Sequence, residues 1–202
     1  MVTKLTMDDI VDLRAYERER EDFRSRIIEL KKRRRVPVGP IVTLVFENRD
    51  TIRFQIQEMA RAERMLRDEQ IQGELDAYNP LIPGAGQLSA TLFIELTSKD
   101  DLMEWLPKLV GIERSVELRI GDGDRDGDEV ITSIPEEGHE AQLTREEITP
   151  SVHYVRFELS AGQIERFARA PVTVGINHPA YREATVLSDE TRSFLLADLQ
   201  DR

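Results

Sequence analysis

The sequence predicts an α+β fold, in which about five or six strands form a mostly antiparallel or mixed sheet with flanking helices and a long N-terminal helix. Some segments alternate apolar and polar residues as strands do, and others repeat apolar residues every three to four positions as helices do. The 202 residues are 40% hydrophobic and 33% charged, which suits one folded core and excludes global disorder. We expect a charged helical arm over residues 1–36 and a single α+β domain over residues 37–202.

The first predicted element is one long helix over residues 7–35, with a broken apolar stripe. Its middle, residues 16–22, is dense in charge, so we expect it to lie in solvent or against another chain, and a homodimer is worth testing. The last turn carries five consecutive basic residues, Lys31 to Arg35, where the helix dipole favours positive charge. A solvated helix end is the favoured interpretation of this cluster, and an anion or RNA site is the alternative.

The remaining elements alternate between strands and helices. Strands are expected at residues 41–47, 90–96, 116–120, 130–134, 151–159 and 172–176. Helices are expected at residues 51–66 and 71–78, and after the capping residues Ser98, Ser160 and Ser188. Residues 51–66 also fit a strand by their alternation, but the strong helix formers after Ile56 favour a helix. On that helix Glu63 continues the apolar stripe, so we expect it to be partly buried.

Composition argues against several classes of protein. Lys and Arg number 28 against 39 Asp and Glu, and the net charge of −11 argues against nucleic-acid binding. The chain has no cysteine, so its own residues supply no disulfide, thiolate metal site or thiolate ligand for an iron–sulfur cluster. No apolar run approaches the roughly 20 residues of a membrane-spanning helix, and the first residues lack a signal-peptide core. We therefore expect a cytoplasmic protein without a membrane partner.

Two of the three histidines are candidate metal ligands. His153 shares an apolar strand face, and His178 lies at a strand exit close to Tyr181. If their strands run antiparallel, both histidines fall near one end and could meet Glu58 or Glu63, as metal ligands or with a glutamate as general base. Parallel strands would separate them too far to share an ion. A histidine on an apolar face is also commonly satisfied by a hydrogen bond to a neighbour, which is the structural alternative.

A second candidate cation site is an acidic loop between two predicted strands. Asp122, Asp124, Asp126 and Gly127 fit the first half of a calcium-binding loop. The pattern fails at its twelfth position, where Ser133 stands in place of a bidentate Glu, so a solvated hairpin tip is favoured. The sequence contains no nucleophile elbow, phosphate-binding loop or dinucleotide fingerprint, and no motif implies a cofactor or a reaction.

Five blocks of sequence carry a resemblance to a known family. They are FENRDTIRFQIQEM at 46–59, YNPLIP at 78–83, ATLFIE at 90–95, VHYVRFE at 152–158 and HPAY at 178–181. Together they resemble the bacterial domain of unknown function thirty-five-oh-one, over nearly the whole chain. The resemblance implies no established reaction. Members of that family are often encoded beside a rubrerythrin and a heterodisulfide-reductase-like iron–sulfur protein, which implies a role near peroxide defence or electron transfer.

Three functions are expected, in decreasing order. The first is a non-catalytic accessory or binding protein of a cytoplasmic redox or oxidative-stress system, whose acidic edge at residues 113–150 and charged helix dock a rubrerythrin or iron–sulfur partner. The second is a metal-binding protein or metal-dependent enzyme that uses His153, His178 and Glu58 or Glu63. The third is an RNA- or anion-binding module that uses Lys31 to Arg35.

Overall fold

Two antiparallel sheets form the centre of the computed structural model, which describes residues 4–121, 127–136 and 148–200. Sheet A contains, in spatial order, β1 (Arg35–Val38), β2 (Val42–Glu47), β3 (Gln87–Ile94), β7 (Val152–Glu158) and β6 (Ile134–Pro135). Sheet B contains β5 (Glu129–Thr132), β4 (Val116–Ile120), β8 (Val172–His178) and β9 (Tyr181–Val186). The predicted α+β class is confirmed, although the described residues form two sheets with more strands than the five or six expected.

Six helices flank the sheets within the described residues. They are α1 (Leu13–Lys32), α2 (Arg49–Ala62), α3 (Asp68–Tyr78), α4 (Lys99–Lys108), α5 (Ala161–Arg169) and α6 (Asp189–Gln200). The predicted caps at Ser98, Ser160 and Ser188 are confirmed, because each hydroxyl accepts the backbone N–H three residues further on. The ambiguous segment is helical, as predicted, and Asn48 caps it. None of the described helices is long and apolar enough to cross a membrane.

The main hydrophobic core lies between the two sheets. Fully buried side chains alternate along their inner faces, including Leu44, Leu92 and Phe157 from sheet A and Leu118 and Val174 from sheet B. The chain crosses from sheet B to sheet A between β5 and β6, and on the other side β1 contacts β9. The sheets are therefore joined at both sides around one core.

The N-terminal helix is shorter than predicted. It begins at Leu13, because the Asp12 carboxylate accepts the first free backbone N–H groups, and it ends at Lys32. Arg35, expected in the helix, instead opens β1, which spans the predicted domain boundary at residue 36. Sequence reasoning missed β1 because four residues around a proline carry little pattern, and it missed β9 because most of that strand is exposed.

The charged middle of α1 packs against α2 rather than lying wholly in solvent. Tyr16 is fully buried there, against the expectation for residues 16–22. The Phe23 ring lies edge-on to Tyr16 and Phe54, with centroid separations of 6.4 and 5.6 Å. With α3, these two helices lie over the face of sheet A that points away from the main core.

Candidate functional site

Glu58 is held by α1. Its carboxylate accepts a hydrogen bond from the Tyr16 hydroxyl at 2.7 Å and two from the Arg20 guanidinium at 2.8 Å. The hydrogen bonds from Arg20 are the largest cause of a lowered Glu58 pKa, and burial raises the pKa of the Tyr16 hydroxyl. These hydrogen bonds join α1 to α2, and a lowered pKa makes the Glu58 carboxylate a weaker proton acceptor; its role as a general base stays a prediction.

Glu63 is exposed, so its expected partial burial is wrong. The helix α2 ends at Ala62 and Glu63 follows it as the C-cap. Arg64 then adopts a left-handed backbone with φ of 52°, and the chain turns so that Met65 takes the buried position. Met65 therefore continues the apolar stripe in place of Glu63. A helix that ran through residue 66 would have placed Glu63 on that stripe.

His153 lies on the inner face of β7, as its alternation with Val155 predicts. Its Nε2 is 2.9 Å from the Thr149 hydroxyl, and its Nδ1 is 3.7 Å from Glu113 Oε2. The side chains of all three residues are buried. Neighbouring side chains therefore surround this imidazole, which fits the structural alternative for a histidine on an apolar face.

His178 and Tyr181 lie at the hairpin between β8 and β9, where the two residues pair with each other. His178 Nδ1 accepts the Ala180 N–H at 3.2 Å, and Nε2 lies 3.0 Å from the Val110 carbonyl, which fixes the proton on Nε2. The Tyr181 hydroxyl donates to the Val38 carbonyl at 2.7 Å, and burial raises the pKa of that hydroxyl. Both side chains thus have structural partners at the edge of sheet B.

Four of the five predicted site residues, Glu58, His153, His178 and Tyr181, have the different partners described above rather than one shared set, and the fifth, Glu63, is exposed. Across residues 4–121, 127–136 and 148–200, no group of three or more His, Asp or Glu side chains is arranged to hold a metal ion. Metal binding by His153 and His178 stays a prediction. The calcium-loop residues Asp122, Asp124 and Asp126 lie outside the described residues, as does much of the predicted acidic edge.

The basic cluster at the end of α1 has intramolecular partners. Four of its five members pair with a carboxylate: Lys32 with Glu29, Arg33 with Glu190, Arg34 with Asp198 and Arg35 with Glu95. The fifth, Lys31, differs, because its ammonium lies 5.9 Å from the centre of the Phe54 ring and no carboxylate pairs with it among the described residues. RNA binding by this cluster stays a prediction, and most of its charge is already neutralised within the chain.

A pocket of about 200 Å³ lies between sheet A and the helices α1 to α3. This volume exceeds the cavity of about 150 Å³ that accommodates benzene, so a small organic molecule fits. The apolar part of its wall is Ile52, Leu81, Phe93 and Val152. The polar part is Lys31, Glu47, Gln55, Tyr78, Thr91 and Tyr154. We call this space the sheet–helix pocket.

Strand register places the polar groups of the sheet–helix pocket on one face. Thr91 on β3 lies directly opposite Tyr154 on β7. Glu47 on β2 lies opposite Ser89, which is two residues from Thr91 and so points to the same side of the sheet. Burial is the largest cause of a raised Tyr154 pKa, and the charges of Tyr78 and Glu47 raise it further. The Tyr154 phenol therefore stays neutral at physiological pH.

One oxygen of the Glu47 carboxylate receives no hydrogen bond from any described residue. The residue is only 7% exposed, and its Oε1 accepts the Thr91 hydroxyl at 2.6 Å. Its Oε2 is also buried and has no hydrogen-bond partner among those residues. An unsatisfied buried acceptor costs about 1–3 kcal/mol, and more when it is charged. The sheet–helix pocket thus contains a buried carboxylate oxygen that is open to a donor.

Comparison with known proteins identifies the family. A family model described as "Protein of unknown function (DUF3501)" matches residues 4–199. The chain belongs to the DUF3501 family. The resemblance seen in the sequence blocks is thus confirmed, and the family is uncharacterised.

A solved relative has the same fold. It is described as the crystal structure of a novel protein of unknown function from Burkholderia pseudomallei K96243, at 1.90 Å resolution. Its sequence is 37% identical to this DUF3501 chain and its TM-score is 0.87, over 98% of this chain and 100% of that one. No curated protein matches the chain.

The sheet–helix pocket is the feature of this DUF3501 protein that sequence reasoning missed. The available signal was Glu47 itself, the one charged residue in the strand predicted over residues 41–47. A local conflict of this kind, a charge in a buried strand, commonly marks a functional or strained position. The partners that make it a pocket come from β3, β7 and α1, and the sequence alone does not place them together.

Proposed function

We propose that this DUF3501 chain is a non-catalytic binding protein that holds a small polar molecule in the sheet–helix pocket. The observation that carries the proposal is Oε2 of Glu47, which is buried and has no hydrogen-bond partner among the residues that the structure describes. A ligand donor that reaches this oxygen removes a cost that the ligand-free protein bears. The proposal refines the binding role expected from the sequence by naming where the ligand lies.

The arrangement around Glu47 supports binding rather than a structural role. Glu58 has protein donors on both carboxylate oxygens, whereas Glu47 has a donor on Oε1 alone within the part of the chain that the structure describes. Thr91 fixes the orientation of the Glu47 carboxylate in advance, so less conformational entropy is lost when a ligand binds. Apolar walls beside a few fixed polar groups are typical of small-molecule sites.

A thermal-shift screen tests the proposal. The untagged full-length protein is heated with each member of a library of small polar metabolites. We expect at least one compound to raise the melting temperature of the wild type and to leave that of Glu47→Gln unchanged, because a ligand stabilises only a protein that binds it. Glu95→Gln is the matched control, since Glu95 also accepts a threonine hydroxyl, from Thr43 at 2.7 Å, but lies outside the pocket.

Two results would count against the pocket as a binding site. One is that no library compound stabilises the wild type. The other is that every stabilising compound acts equally on the wild type and on Glu47→Gln. The control variant must respond as the wild type does.

We also propose a setting for this binding role, a cytoplasmic redox or oxidative-stress system with a rubrerythrin or an iron–sulfur protein as partner. The resemblance to the family supports the setting. The sequence has no cysteine, so thiolate-held redox centres must belong to a partner. Purification of the untagged chain from its own cells at low salt tests this, with rubrerythrin or the iron–sulfur protein expected to co-elute. Elution of the chain without either protein would contradict the setting and leave the pocket proposal standing.

A further inference from the structure

Two opposite charges face the sheet–helix pocket, and neither has a counter-ion among the described residues. Glu47 supplies the negative charge with its buried Oε2, and Lys31 supplies the positive charge. From this pairing, and on the basis of the proposed function, we propose that the ligand is a small zwitterion whose ammonium binds Glu47 and whose carboxylate binds Lys31.

Lys31 differs from its basic neighbours because no carboxylate in the described part of the chain pairs with it. The next four residues along the chain, all basic, are each paired with one. Lys31 instead lies over the Phe54 ring and lines the pocket. Lys31 is partly buried, and its ammonium lies near an aromatic ring with no counter-ion among the described residues. A ligand carboxylate would add the charge pairing that the ring does not provide.

The Glu47 end of the pocket suits an ammonium. Its Oε2 accepts a hydrogen bond but cannot donate one while ionised, so it selects a donor. The rings of Tyr78, Tyr154 and Phe93 line the same pocket, and aromatic faces attract cations. A ligand carboxylate at this end would face the like charge of Glu47, which fixes the orientation of the zwitterion.

The walls and the volume limit the body of the ligand. Ile52, Leu81 and Val152 are apolar, so a short hydrocarbon chain between the two charged groups packs against them. The volume of about 200 Å³ suits roughly five to ten non-hydrogen atoms, by comparison with benzene in a cavity of about 150 Å³. Small amino acids with different separations between amine and carboxylate have this chemistry and size.

Isothermal titration calorimetry on the untagged full-length protein tests the inference. The probes are glycine, β-alanine, 4-aminobutyrate and 5-aminopentanoate, together with butylamine and butyrate, which each carry one of the two charged groups. We expect one length of amino acid to bind best, because its amine and its carboxylate must reach Glu47 and Lys31 at the same time. The two single-charge probes should bind at least about tenfold more weakly than that amino acid, since each leaves one pocket charge unpaired.

Two variants assign the ends of the ligand. Lys31→Met should weaken binding of the best amino acid at least about tenfold and leave the affinity for butylamine unchanged. Glu47→Gln should abolish measurable binding of both. Lys32→Met is the matched control for the first variant, because Lys32 is exposed and paired with Glu29, and it should bind as the wild type does. Circular dichroism confirms that each variant is folded, and the comparison among wild-type probes needs no variant.

The outcomes separate this inference from the proposed function. The proposal of a zwitterionic ligand is wrong if butylamine binds as tightly as every amino acid, or if Lys31→Met leaves the affinity for the best amino acid unchanged. If the thermal-shift screen finds only neutral or singly charged ligands that depend on Glu47, the zwitterion is also wrong and the pocket remains a binding site. If no amino acid binds and no library compound depends on Glu47, both fail together.

Discussion

Glu47→Gln should make the ligand-free protein more stable, although it removes a residue of the proposed site. In the wild type the residue is 7% exposed, its Oε1 accepts a hydrogen bond from Thr91, and its buried Oε2 has no partner in the described ranges 4–121, 127–136 and 148–200. The substitution keeps an oxygen for Thr91 and replaces the unpaired charged atom with a neutral amide. The cost of an unsatisfied buried acceptor is about 1–3 kcal/mol and larger for a charged one, but the new amide is not fully satisfied either. We therefore expect a net gain of about 1 kcal/mol in the free energy of unfolding.

Scanning calorimetry of ligand-free protein measures this effect. For a chain of this length, about 1 kcal/mol corresponds to a rise of about 2–4 °C in the melting temperature. Urea unfolding gives the same free-energy difference independently. Glu95→Gln should behave oppositely, because Glu95 is paired with Arg35 as well as Thr43. A loss of more than about 1 kcal/mol in Glu47→Gln would refute the reasoning, since Glu47 would then be a satisfied structural residue.

Three further predictions concern the contacts that hold the pocket and its sheet. Asp198→Ala should lower the free energy of unfolding by about 3 kcal/mol in urea, because it leaves the Arg34 guanidinium, 2% exposed, buried without its carboxylate. Glu58→Gln should lower the free energy of unfolding most at neutral pH. The folded pKa of Glu58 lies below its ordinary value of 4.5, so the stabilisation by its carboxylate is present above that pH and is lost as pH falls through the folded pKa. Gly39→Ala should lower the free energy of unfolding, measured by thermal unfolding, by more than about 1 kcal/mol. Gly39 has a φ of +72°, and the Tyr181 hydroxyl occupies the space that a Cβ would need.

Each of these predictions has a matched control. Asp189→Ala removes an ion-pair partner that is 97% exposed, and should change stability by less than about 0.5 kcal/mol. Glu63→Gln changes an exposed glutamate at the end of the same helix as Glu58, and should change the free energy of unfolding by less than about 0.5 kcal/mol at neutral pH. Gly73 lies in α3 with free space around its Cβ position, so Gly73→Ala should raise the free energy of unfolding by about 0.5–1 kcal/mol. Equal effects in a variant and its control would contradict the corresponding argument.

The sequence predicted those parts of the fold that depend on local pattern. The helix formers after Ile56 predicted α2, and Ser98 and Ser160 predicted the starts of α4 and α5. These predictions were possible because capping and periodicity act within a few residues. His153 was placed correctly on an inner strand face by alternation alone. Exposed edge strands such as β9 lacked this pattern, so the number of strands was underestimated.

The candidate site could not be predicted because it depends on long-range contacts. Glu47 on β2 contacts Thr91 on β3, which lies 44 residues further along the chain. Glu58 was a candidate acid or base from its position on a helix, and only the packing of α1 shows that Arg20 and Tyr16 occupy it. The end of α2 at Ala62 likewise moved Glu63 to the surface, where a continued helix would have buried it.

A crystal structure of the untagged protein, purified from its own cells without dialysis, tests the central claim most directly. The account predicts electron density for a small molecule in the sheet–helix pocket, with a donor nitrogen within about 2.7–3.2 Å of Glu47 Oε2. A Glu47 side chain satisfied on both oxygens by protein groups or by water alone, with no other molecule in the pocket, would contradict it.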